Sequence, residues 1–125
     1  MAGSPGSKYY DKFLKYTVSM QNADGDIVLD DENFRLLSLL KQTQSISRAA
    51  KELPISYRKA WGKLKTLEEK MGFPIIIKSR GGEKGGKTQL TEDGLRLINA
   101  YEDLYDNFNR QVKELTKEFF KKINR

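Results

Sequence analysis

Gly81, Gly86, Lys87 and Thr88 stand at the spacing G-x-x-x-x-G-K-[ST] within KSRGGEKGGKTQL, residues 78–90. In a nucleotide-binding loop that spacing lets backbone N–H groups cradle phosphates while the Lys and the hydroxyl serve the phosphates and Mg²⁺. The chemistry also requires a helix that starts at the Lys-Thr pair, so that phosphate meets its N-terminus. Here Gln89 and Leu90 continue as a strand and the next helix signal is Thr91. No later strand ends in a carboxylate for Mg²⁺, and there is no βαβ order. The stretch therefore reads as the tip of a hairpin, and no enzymatic activity is expected of it. Its cations, Arg80, Lys84 and Lys87, remain suited to phosphates of another kind.

The composition narrows the chemistry further. The 125 residues suffice for one domain with a modest core, and they include no Cys and no His. Disulfides, zinc sites built on Cys or His, and Ser-His or Cys-His nucleophile pairs are excluded, and no cofactor or metal is expected. No apolar run approaches the ~20 residues of a membrane span, and residues 1–8, MAGSPGSK, lack the apolar core of a secretory signal. Those eight residues read as a flexible linker or cloning remnant. The expected setting is cytoplasmic, with no membrane partner. The net charge of +6 is uneven: residues 1–44 carry −1, residues 45–90 carry +7 and residues 91–125 carry 0. A basic surface confined to one third of a chain suits a polyanionic partner, although a lysine-rich solubilising surface would look similar.

The elements that must position these cations follow from capping and periodicity. Two β-leaning runs in residues 9–29, FLKYTVSM and IVL, flank an Ala-Asp-Gly turn and predict a hairpin. Asp30 or Asp31 caps a helix to about Thr43, with Phe34, Leu36, Leu37, Leu39 and Leu40 on its apolar face. Ser45 or Ser47 caps a short helix, residues 45–53, which Pro54 stops. Ser56 caps a third helix, residues 57–72, with a core stripe of Ala60, Leu64, Leu67 and Met71 and a Gly72 stop. Two short helices across Pro54-Ile55-Ser56, with small Ala49 and Ala50 at the crossing, have the form of a helix-turn-helix. The strand FPIIIKSR, the glycine-rich turn and the return KTQL add a wing. Thr91, with Glu92 and Asp93, then starts a long last helix. The fold class is mostly α with small β: a winged helix-turn-helix over residues 9–90, with an N-terminal β-hairpin, followed by a long dimerisation helix over residues 91–125.

On the third helix the wheel points Arg58, Gly62 and Lys65 away from Ala60, with Lys59 and Thr66 beside them. Ser56 and Tyr57 sit at the helix start, where hydroxyls and N–H groups reach phosphates. Arg58 is the best base reader, because its fork matches guanine O6 and N7. Lys59, Lys63 and Lys65 suit phosphates, and Ser47 and Arg48 on the second helix could fix one strand's backbone. Gly62 implies close approach, either of a partner or of another helix, and Trp61 is expected to be a mostly buried packing post. On the last helix Ile98, Tyr101, Tyr105, Phe108, Val112, Leu115 and Phe119 recur at 3 and 4, a heptad seam. That seam predicts self-association as a dimer; the alternative is that the helix packs on the hairpin of residues 13–29.

Residues 45–98 contain S-I-S-x-A-A-K, I-S-Y-[KR]-x-A-W, a strand, a G-G-x-x-G-G wing and L-T-x-x-G. In these the chain resembles the N-terminal DNA-binding domain of ModE-type, molybdate-responsive regulators, relatives of the LysR-type winged helices, and the likeness extends over residues 9–120. The resemblance implies a transcriptional regulator, dimeric through its first and last helices. It implies that Ser56, Tyr57, Arg58 and Lys59 enter the major groove of double-stranded DNA, and that Arg80, Lys84 and Lys87 touch backbone or minor groove. A two-fold dimer implies a pseudo-palindromic operator. Two-domain members carry oxyanion-binding modules after the long helix; this chain ends at Arg125 and is expected to be a single-domain version or a fragment, so molybdate sensing is not implied. The competing reading is a winged helix that docks an acidic protein and does not bind DNA.

Overall fold

The computed structural model describes residues 5–79 and 87–124. The elements are β1 (Met20–Gln21), β2 (Ile27–Leu29), α1 (Asp31–Thr43), α2 (Ile46–Glu52), α3 (Tyr57–Met71), β3 (Ile76–Ser79), β4 (Lys87–Leu90) and α4 (Glu92–Ile123). They fall into two compact units. One spans Val18–Tyr101; the other combines the chain start through Thr17 with the helix from Glu102 onward.

Within the first unit, the helix starts are set by side-chain caps. Asp30 accepts from Asn33 N at 2.8 Å, Ser45 from Arg48 N at 3.2 Å and Ser56 from Lys59 N at 3.0 Å. Gly72 ends α3 in the left-handed region at φ 82°, its N–H donating to Glu68 O. Gln44 ends α1 in that same region at φ 55°, and it is the non-glycine residue with positive φ among those described. The backbone turned there aims the Gln44 carbonyl at β4, where it accepts from Thr88 N at 2.9 Å. Between α2 and α3, Ile55 N reaches back to Ala50 O at 2.8 Å, closing the turn that Pro54 forces.

The core of this unit gathers one face of each helix. Leu36, Leu37 and Leu40 of α1, Ala49 and Ala50 of α2, and Ala60, Leu64 and Leu67 of α3 are buried together with Leu29, Ile75 and Ile98. The alanines permit the close helix crossing that larger side chains would block. Ile98 and Tyr101 of α4 belong here: Ile98 is fully buried, and Tyr101 lies stacked on Phe34 with their rings 5° from parallel. Lys41 donates to Asn99 at 2.9 Å on the same side.

The hairpin is shorter than the sequence suggested. Only Met20–Gln21 pairs with Ile27–Leu29, antiparallel and with a bulge, around a turn closed by Asn22 and Gly25. Phe13 to Thr17 do not extend it; they belong to the second unit. The wing pairs β3 with β4 in register from Ile76↔Leu90 to Ser79↔Lys87. Lys87 and Thr88 are thus strand residues and α4 starts at Glu92, which removes the helix start a nucleotide loop needs. Gly81, Gly86, Arg80 and Lys84 lie outside the described residues. Two ties hold β3 down. Glu68 accepts from Ile75 N at 2.8 Å and Ile76 N at 3.1 Å. Thr91, which caps α4 by accepting from Gly94 N, donates to Pro74 O at 2.9 Å.

In the second unit, Tyr9, Leu14 and Tyr16 lie along α4. Tyr16 meets Phe108 edge to face with ring centres 6.4 Å apart, and Tyr9 meets Phe120 at 6.5 Å. Val112 is half-buried beside Leu14 and Tyr16. Among the described residues of this unit only Thr116 and Phe120 are buried. Leu104, Tyr105, Leu115 and Phe119 are exposed on the helix, as are Tyr10, Phe13 and Tyr16 on the covering segment.

Candidate nucleic-acid interface

The α3 helix presents its N-terminus to solvent. Ser56, Tyr57, Arg58 and Lys59 are all exposed, as are Ser47 and Arg48 at the start of α2. A groove of about 440 Å³ collects Ser47, Tyr57, Lys78, Lys87 and Thr88, so the starts of α2 and α3 and the base of the wing face one space. Lys78 reaches across it: its ammonium donates to the Tyr57 hydroxyl at 3.3 Å.

The other flank of α3 is arranged differently. Lys59, Gly62 and Lys63 line a shallow depression beside Asp30 and Asn33. Glu32, projecting from α1, pairs with Lys63 at 2.9 Å and stands 3.8 Å from Lys59. The Lys63 hydrogen bond, reinforced by the charges of Lys63 and Lys59, holds the Glu32 carboxyl below its ordinary range. Lys63 is largely covered, whereas Lys59 stays open to a ligand. Lys65 lies further along, 3.6 Å from Glu68.

Gly62 resolves one of the two sequence alternatives. A β-carbon at position 62 would meet no atom within 4 Å, so packing against another helix does not require this glycine. Gly62→Ala should therefore raise folding stability by roughly 0.8–1 kcal/mol through helix propensity. If a partner backbone approaches this face, the same methyl weakens binding; a thermal melt paired with a mobility shift reads both. Unchanged binding in the more stable variant would remove Gly62 from the interface.

Trp61 is partly buried and packs on the core, as a packing post should, with Lys78 and Lys65 over its ring. The seating of these two lysines escaped the sequence. Lys78 itself carried no periodic signal, because it is a strand residue brought to α3 by the β3–Glu68 ties. Arg80 and Lys84, assigned to the wing tip, lie outside the described residues. Of the seven seam residues, Ile98 and Tyr101 are taken up within the first unit, Phe108 and Val112 are partly covered in the second, and Tyr105, Leu115 and Phe119 are exposed. Among the described residues there is no helix long and apolar enough to cross a membrane, and no cluster of Asp, Glu, Cys or His that could hold a metal ion.

Known proteins share this arrangement. The ModE molybdenum transport protein of Azotobacter vinelandii is 34% identical over 95 residues, covering 76% of this chain and 35% of that protein. The DNA-binding transcriptional dual regulator ModE of Escherichia coli K12 is 37% identical over 71 residues, covering 54% and 27%. The chain thus spans about a third of the length of these curated relatives. Among solved structures, the BenM DNA-binding domain in complex with catB site 1 DNA superposes with a TM-score of 0.54 at 21% identity, covering 67% of this chain and 88% of that one. A point mutant of Lactococcus lactis ZitR gives 0.58 at 20% identity, covering 86% and 73%. These two likenesses establish the winged-helix fold. The family described as bacterial regulatory helix-turn-helix protein, lysR family, matches residues 32–95, a little over half of the sequence, and the chain belongs to that family.

Proposed function

We propose that this chain is the DNA-binding part of a transcriptional regulator, acting in the cytoplasm as a homodimer on a pseudo-palindromic operator and carrying no enzymatic activity. The observation that carries the reading is the exposed start of α3, with Tyr57, Arg58 and Lys59, next to a groove that joins α2 to the base of the wing. A helix end of this kind fits the major groove while the flanking groups meet phosphates on either side. The family membership and the relatives named as regulators support it. The +7 charge of residues 45–90 supplies the non-specific attraction.

The exposed apolar stripe of Leu104, Leu115 and Phe119 supports the homodimer. On a helical wheel these three lie within a narrow arc, while Thr116 and Phe120 fall on the covered side. The heptad seam of the sequence is thus divided between cover from residues 9–16 and a stripe open to a second copy. On this reading Leu104, Phe108, Leu115 and Phe119 line the interface between protomers.

The test is a mobility shift on genomic fragments across a salt series. Affinity should fall steeply with salt as phosphate contacts release counterions. Arg58→Ala should lose about 1–3 kcal/mol of discrimination at one base pair, while Lys87→Ala should weaken all sequences evenly and lower the salt slope by about one. Absence of DNA binding at low salt, together with capture of an acidic protein by the same face, would favour a protein-docking winged helix instead.

A further inference from the structure

Trp61 is the single tryptophan of the chain, and two ammonium groups stand over its ring: that of Lys78 at 3.9 Å from the centroid and that of Lys65 at 4.7 Å. Lys78 also donates to the Tyr57 hydroxyl and lies 6.0 Å from the Tyr57 ring. We propose that Trp61 is the positioning residue of the interface, and that Lys78, held by it, is a further phosphate-binding residue at the base of the wing. The proposal rests on the DNA-binding reading above and extends it to two residues outside the DNA contacts expected from the sequence.

This surface holds its lysines in two ways. Lys59 and Lys63 are oriented by Glu32, Lys65 by Glu68 and Lys70 by Asp26. A carboxylate partner orients a lysine but neutralises it, and a phosphate must then compete with that carboxylate. Lys78 has no carboxylate within ion-pair distance among the described residues; an indole and a phenol hold it instead. An aromatic face attracts a cation through its quadrupole and leaves the full charge in place. The long lysine side chain is thus fixed before a ligand arrives, which lowers the ordering cost of binding. The groove in front holds Ser47, Tyr57 and Lys87, donors suited to a phosphodiester. Trp61 packs on the core, so it gives the strand-borne lysine a fixed seat beside the α3 N-terminus.

The experiment compares wild type, Lys78→Met, Trp61→Leu, Trp61→Phe and the Trp61→Leu/Lys78→Met double variant by DNA affinity over a salt series and by melting temperature. Lys78→Met should lower the salt slope by about one at an unchanged melting temperature, and should shift Trp61 emission in the free protein. Trp61→Leu should weaken binding severalfold in the wild-type background and clearly less when Lys78 is already Met, the mark of coupled residues. Trp61→Phe, which keeps an aromatic face, should recover part of the loss. Equal losses in both backgrounds, or wild-type slope and emission in Lys78→Met, overturn the proposal. Should Trp61→Leu melt much lower, the Phe and Met variants carry the same comparison. A wild-type protein that binds no DNA would sink the DNA-binding reading itself, an outcome distinct from binding that ignores Lys78 and Trp61.

Discussion

Leu115→Asp combined with Phe119→Asp should abolish the proposed dimer and leave a monomer. It should also weaken the protein's hold on a two-half-site operator by about a hundredfold or more, the usual scale of lost bivalency. The two side chains are 59% and 40% exposed in one copy of the chain, so carboxylates there cost little in the monomer. Across a helix-on-helix contact they would be buried unpaired, which is strongly unfavourable. The helix beyond Glu102 has few buried partners of its own, with only Thr116 and Phe120 covered among the described residues of its unit. A surface with so small a core gains most of its order from association. Light scattering coupled to size exclusion reads the mass, and a mobility shift reads the affinity. A wild-type monomer, or a double variant that still elutes as a dimer with wild-type affinity, would remove this stripe as the interface.

Gly94→Ala should lower the melting temperature by about 5–15 °C in a unit of this size. Propensity alone predicts the opposite sign, since Ala in a helix is favoured over Gly by roughly 0.8–1 kcal/mol. A β-carbon at position 94 would stand 2.5 Å from the Ile75 carbonyl oxygen and 3.2 Å from its Cγ2. That carbonyl cannot retreat freely, because it accepts from Thr91 N at 2.8 Å. Nor can Ile75 shift, with its side chain in the core and its N–H on Glu68. Overpacking of this kind costs about 1–3 kcal/mol or more, and it should separate α4 from β3. A calorimetric melt decides: a variant as stable as wild type, or more so, would mean that the two backbones have room to part.

Local chemistry was readable where one residue decides the outcome. Ser45, Ser56 and Thr91 cap helices, Pro54 stops one, and Gly72 takes the left-handed turn. What stayed hidden depends on distant segments. Gln44 adopts positive φ although its side chain gives no such signal, and its reason lies in β4, more than forty residues on. Glu68 carried no signal in the sequence, yet it accepts from Ile75 N and Ile76 N where the chain enters β3. The period of the seam on α4 is written in the sequence, whereas what covers each of its faces is not. Residues 9–16 cover the arc of Thr116 and Phe120, and no helical period can reveal which side a remote segment will occupy. Lys78 was passed over for a related reason: strand alternation says nothing about the indole it will meet.

On the DNA-binding reading, the bond from Thr88 N to the Gln44 carbonyl bears on the energetics of operator choice. It fastens the wing to the backbone one residue before the Ser45 cap of α2, and Glu68 fastens the same wing to α3. Helix start and wing base then act as two anchor points at a fixed spacing. A duplex whose own geometry misses that spacing must bend or twist to engage both, and the energy of doing so depends on its base-pair steps. Flexible steps between the contacted positions would accordingly favour an operator, even at base pairs that no side chain touches.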